Sequence, residues 1–81
     1  MSLRNEEWLS SEGYYDPYFS EYIAIGKLLE EIKLKELCIT MGFAGGSWEV
    51  IIANKGRVVR GKSINLLDAL ADAYKLATGG T

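Results

Sequence analysis

The string Gly56-Arg57-Val58-Val59-Arg60-Gly61-Lys62-Ser63 fits G-x-x-x-x-G-K-[ST] at every position, the spacing used for nucleotide chemistry. A working loop of this type wraps phosphates in successive backbone N–H groups. It brings its Lys to the β- and γ-phosphates and sets its Ser or Thr on magnesium. Here the context contradicts that use. Val58-Val59 favour extended backbone over a nest of amides. Only residues 64–81 follow Ser63, too few for the crossovers of a parallel nucleotide-binding sheet, and no apolar run ending in Asp is available to hold the metal. The match is read as a coincidence, and no cofactor is predicted. A weaker site survives it: Gly61-Lys62-Ser63 lies near a helix N-terminus, where an anion can meet amides and Lys62 together.

Other chemistry is scarce. There is no His among 81 residues, which removes the commonest general base, metal ligand and pH switch. Cys38 has no second Cys to pair with and no His to activate it, so it is expected to be a buried structural thiol in a reducing compartment. Glu30 and Glu31 are adjacent and diverge by roughly 100° around a helix, so they cannot act as a paired acid and base. Glu49 is expected on the solvent face of a strand. No catalytic or metal-binding residue is assigned.

Two clusters remain as candidate contact sites. Lys55, Arg57, Arg60 and Lys62 form the basic segment, the candidate contact for nucleic acid or another anion. A strand over 57–62 would send Arg57 and Arg60 to opposite faces and break the patch. Tyr14, Tyr15, Tyr18 and Tyr22, with Phe19, make an aromatic segment. Its bland role is to cover a small core; its sharper one is a protein interface, where tyrosine is enriched. Trp48 is expected to be core or half-buried.

The elements that must position these residues follow from periodicity. Asp16-Pro17 reads as a helix start, and Tyr22, Ile25, Leu29 and Ile32 recur at helical spacing, so a helix is expected over 17–34. Gly26 inside it points to close packing. Leu37, Ile39, Met41 and Phe43 alternate with smaller residues, Gly45-Gly46 makes a turn, and Trp48, Val50 and Ile52 alternate again. Asn54-Lys55-Gly56 turns into a third strand over 57–62. Asn65 caps a last helix with an apolar face of Leu67, Leu70, Ala71 and Tyr74, ended by Gly79-Gly80. The fold class is α+β: an αβββα chain, three-stranded antiparallel meander, two helices packed on it. Residues 1–15 show no sustained period and are read as an irregular arm, with 16–81 as the single domain. Met1-Ser2-Leu3 is given no role.

Composition limits the rest. At 81 residues and 48% apolar the chain is one small globular domain. A net charge of −2 gives no general attraction to nucleic acid or anionic lipid. No apolar run approaches the ~20 residues of a membrane span, and the polar N-terminus is unlike a signal peptide, so a cytoplasmic protein is expected.

Trp48-Glu49-Val50-Ile51-Ile52, Gly61-Lys62-Ser63 and Leu67-Asp68-Ala69-Leu70-Ala71-Asp72-Ala73 together resemble the ending of small phage-encoded α/β sandwich domains, and HicB-like antitoxins carry a related ending. The resemblance covers less than half of the chain and implies an accessory protein of a prophage or mobile element, with no activity or functional residue to carry over. The element order is also similar to that of double-stranded-RNA-binding domains. Those domains place lysines at the start of the last helix, where this chain has Asn65-Leu66-Leu67-Asp68. The expected function is a non-enzymatic protein-interaction or regulatory module, its partner another protein or a second copy of itself. The alternative is nucleic-acid binding through residues 55–62.

Overall fold

The computed structural model describes residues 3–79. In chain order they form α1 (Glu6–Ser11), α2 (Glu21–Leu34), β1 (Cys38–Ala44), β2 (Ser47–Asn54), β3 (Arg57–Ser63) and α3 (Leu66–Ala77). The strands make one antiparallel sheet in the order β1-β2-β3, with α2 and α3 packed on it. This is the expected α+β meander with two helices. Of the expected Gly79-Gly80 terminator, Gly79 takes a positive φ of 74° and Gly80 lies outside the described residues. Among the described residues, no helix is long and apolar enough to cross a membrane.

Both hairpins close through two residues in the left-handed region: Gly45 and Gly46 (φ 60° and 80°), then Lys55 and Gly56 (φ 51° and 84°). That twist matches the right-handed twist of the flanking strands, so short turns with positive φ at both positions set the register. Met41 sits opposite Val50, which sits opposite Gly61; Ile39, Ile52 and Val59 form the next row. These odd-numbered β1 and β3 positions and even-numbered β2 positions share the helix-covered face.

Helix α3 is buried on several sides. Leu67, Ala69, Leu70, Ala71 and Ala73 are fully buried, with Tyr74 and Ala77 nearly so. Its small residues let it lie close to β3: a Cβ on Gly61 would stand 2.1 Å from the Ala69 carbonyl oxygen and 2.8 Å from the Ala73 nitrogen. Only glycine fits there. Gly61, which completes the nucleotide-loop pattern, is therefore required by packing. On its other flanks α3 meets Ala24, Ile25, Leu28 and Ile32 of α2 and the N-terminal segment.

Four expectations are corrected. Within the expected irregular arm of residues 1–15, the described residues 3–15 contain α1, Leu9 is fully buried and Leu3 nearly so. Asn5 donates through its backbone N–H and its side chain to Asp68, and Arg4 pairs with Asp72 at 2.7 Å. Second, α2 begins at Glu21, capped by the Ser20 hydroxyl, which accepts from the Tyr22 N–H. Asp16-Pro17 instead opens a β-turn: the Asp16 carboxylate accepts from Tyr18 N–H and its carbonyl from Phe19 N–H. Asp and Pro are as favourable at the head of such a turn as at a helix start. Third, Gly26 is exposed with nothing within 4 Å of a Cβ placed there, so no close packing requires it. Fourth, Cys38 is exposed, because its position in β1 points away from the helices.

Candidate interaction surface

The two edges of the sheet differ in cover. Helix α3 lies along β2 and β3, whereas β1 is exposed at every position except half-buried Ile39. Met41 and Phe43 stand on the helix side of the sheet yet remain 42% and 59% exposed. The alternation Ile39-Met41-Phe43 predicts a buried face, and only the first of these residues is partly covered.

Phe43 is packed on its cross-strand neighbour Trp48, with ring centroids 5.1 Å apart and planes at 60°. The half-buried Trp48 lines a groove of about 420 Å³ with Tyr22, Ile25 and Ile64. Ile64 and Tyr22 are mostly exposed. Apolar surface thus runs from the β1 edge across Trp48 to the start of α2. Isolated exposed apolar residues are ordinary; a connected set built on a strand edge is the unusual observation.

The structure divides the expected aromatic interface. Tyr14 and Tyr15 pack against the core, and Tyr14 meets Trp8 in a tilted and Tyr74 in an edge-to-face contact, at centroid distances of 5.8 and 6.3 Å. Burial, reinforced by a hydrogen bond with Tyr14, pushes the Tyr74 phenol well above its ordinary range. Tyr18 and Tyr22 are exposed. The segment therefore serves both roles, core cover at Tyr14 and Tyr15 and open surface at Tyr18 and Tyr22.

Residues 56–63 do not form a phosphate loop. Gly56 belongs to a hairpin turn and Arg57–Ser63 are β3. Extended backbone sends successive N–H groups in opposite directions, so they cannot converge on one anion. The four basic residues are not one patch either. Lys55 sits in the turn, Arg57 opposes Asn54 on the helix side, and Arg60 and Lys62 lie on the open face. Arg60 Nε contacts Glu49 Oε2 at 3.1 Å.

A different basic grouping forms only in the folded chain. Arg4 and Lys75 join Arg60 and Lys62 around a groove of about 360 Å³ between β3 and α3. Three of these cations are engaged: Arg4 with Asp72, Arg60 with Glu49, and Lys75 with Asn5 at 2.7 Å while lying over the Trp8 ring. The 64-residue and longer sequence separations of the contacts that assemble this groove left no local signal for it.

Compared with models of known families, with characterised proteins and with solved structures, the chain matches none of them.

Proposed function

We propose that this protein is a small, non-enzymatic protein-interaction module that works through the β1 side of its sheet. The observation that carries the reading is β1 itself: a seven-residue edge strand, Cys38–Ala44, without a charge or a proline. Exposed Met41 and Phe43 continue from it into the Trp48 groove. Unpaired strand edges accept an extended partner through main-chain hydrogen bonds, and alternate side chains supply selectivity. An accessory role in a prophage or mobile element, as the HicB-like ending implies, is compatible with this reading and forms part of the proposal.

The second reading, nucleic-acid binding, is favoured by the cationic groove along β3. The engagement of Arg4, Arg60 and Lys75 by their neighbours weakens it, since each must be released before it can neutralise a phosphate. Light scattering with and without added duplex separates the two. The interaction reading expects a mass indifferent to duplex. A salt-sensitive gain in mass with duplex, lost in Lys62→Ala, would replace it with the second reading. Stabilisation by Mg-ATP that disappears in Lys62→Ala would defeat both.

A further inference from the structure

We infer that the occupant of the β1 edge is a second copy of this chain, paired antiparallel about a two-fold axis at Met41 to give a continuous six-stranded sheet. The inference rests on the interaction reading and names its partner.

Three observations select a second copy. First, the edge is uncharged from Cys38 to Ala44, so self-pairing brings no like charges together. The same operation on β3, centred on Arg60, would set Arg60 against Arg60, and like charges directly opposite are destabilising. Full-length self-pairing is thus favoured at β1 over β3.

Second, the strand is complementary to itself in the Met41 register. All seven residues then find a partner. Met41 meets Met41, Ile39 meets Phe43, Thr40 meets Gly42 and Cys38 meets Ala44. An axis perpendicular to the sheet keeps both helical layers on one side, so Ile39, Met41 and Phe43 of each copy form one apolar ladder there. This covers the two β1 side chains that the helices leave exposed. The interface is isologous, as closed two-fold dimers require.

Third, the strand ends present no obstruction. In this register Glu36 and Lys35 of one copy approach the Gly45-Gly46 turn and Ser47 of the other. The two glycines carry no side chain to collide with them. Natural edge strands that stay unpaired are usually blunted by charge, proline or a bulge; the register of β1 with β2 runs unbroken from Cys38 to Ala44.

The test combines mass with register. Wild-type protein measured by light scattering from micromolar to sub-millimolar concentration is expected to be a dimer. Met41→Lys, at a site exposed enough to accept it, is expected to keep its far-ultraviolet circular dichroism and raise the dimer dissociation constant at least about a hundredfold. In a Cys38→Ser background, Met41→Cys is expected to form an intermolecular disulfide under mild oxidation. Directly opposed Cα atoms lie about 4.5–5.5 Å apart, within disulfide range. Phe43→Cys in the same background is expected not to cross-link, because its own counterpart lies four residues along the partner strand, about 13 Å away. A monomer at every concentration overturns the inference. A dimer that survives Met41→Lys and shows no Met41→Cys cross-link overturns it as well. Neither result touches the broader interaction reading, which fails on the duplex-binding outcome described above.

Discussion

The β3 and β1 edges of one small sheet are built on opposite terms. β3 carries Arg57, Arg60 and Lys62, packs against α3, and has a glycine one residue past its centre against the Ala69 and Ala73 backbone. β1 carries no charge, has little helix over it, and has a glycine next to its centre, Gly42, with nothing within 4 Å of a Cβ placed there. One edge strand is covered on one face by α3 and carries charge, while the other is held mainly by its ladder to β2, with Ile39 its one partly covered residue. A domain of 81 residues has few apolar side chains to distribute, and here they are concentrated around α3. The β1 surface is left largely uncovered.

The contrast can be broken most forcefully at the two glycines. Gly61→Val drives a branched side chain into backbone atoms of α3 that cannot rotate away. It is expected to cost more than about 4 kcal/mol and to abolish the cooperative thermal transition. Gly42→Ala is expected to change stability by less than about 0.5 kcal/mol. Comparable losses in the two variants would mean that β1 is as tightly covered as β3.

The covered side also depends on the N-terminal segment. Leu9→Ala, at a fully buried site, is expected to lower stability by about 3 kcal/mol in urea unfolding; a change below about 1 kcal/mol would show that residues 3–15 only rest on the domain. Gly26→Ala, on the exposed side of α2, is expected to raise stability by up to about 1 kcal/mol through helix propensity alone. A loss there would reveal an approach to α2 that the monomer lacks.

Tyr74 sharpens the comparison through pH. Its folded-state pKa lies above that of the unfolded chain, because burial and then the Tyr14 hydrogen bond favour the neutral phenol. Its contribution to stability is therefore complete below about pH 10 and lost as pH rises through the unfolded and then the folded value. Urea midpoints from neutral to strongly alkaline pH should fall less steeply in Tyr74→Phe than in the wild type. Equal slopes would place the alkaline sensitivity elsewhere. The smallest effect belongs to the exposed Arg60–Glu49 pair: Arg60→Gln is expected to cost less than about 1 kcal/mol, reduced further by salt.

The strands were legible because each announces itself over a few residues. Period-two alternation marks β1 and β2, and the turn dipeptides Gly45-Gly46 and Lys55-Gly56 fix two hairpins that leave a meander as the only short connection. Asn65 was legible as a cap for the same reason, and its side chain accepts from the Asp68 N–H. Helix α1 was not legible. Six residues make fewer than two turns, too short for an apolar period to repeat. The start of α2 was misplaced because Asp16-Pro17 carries a turn signal and a helix signal at once. The nucleotide-loop pattern was set aside correctly for a related reason: a short motif specifies residue types, while phosphate binding needs a backbone shape.

What the sequence determined by itself is the local part of this protein: three strands, two hairpins, two main helices, and the absence of histidine chemistry. Tertiary structure alone decided which apolar residues become core. Met41 and Ile52 are both apolar and lie on the same face of the sheet, yet one is 42% exposed and the other fully buried. The difference is set by where α3 settles, and that follows from Gly61 admitting its backbone at β3. Arg4, Lys75, Arg60 and Lys62 share a groove for the same reason, since residues far apart in the chain meet only after α3 has docked. Alternation specifies which side of a strand is apolar; it carries no information about how far a helix reaches across the sheet to cover it.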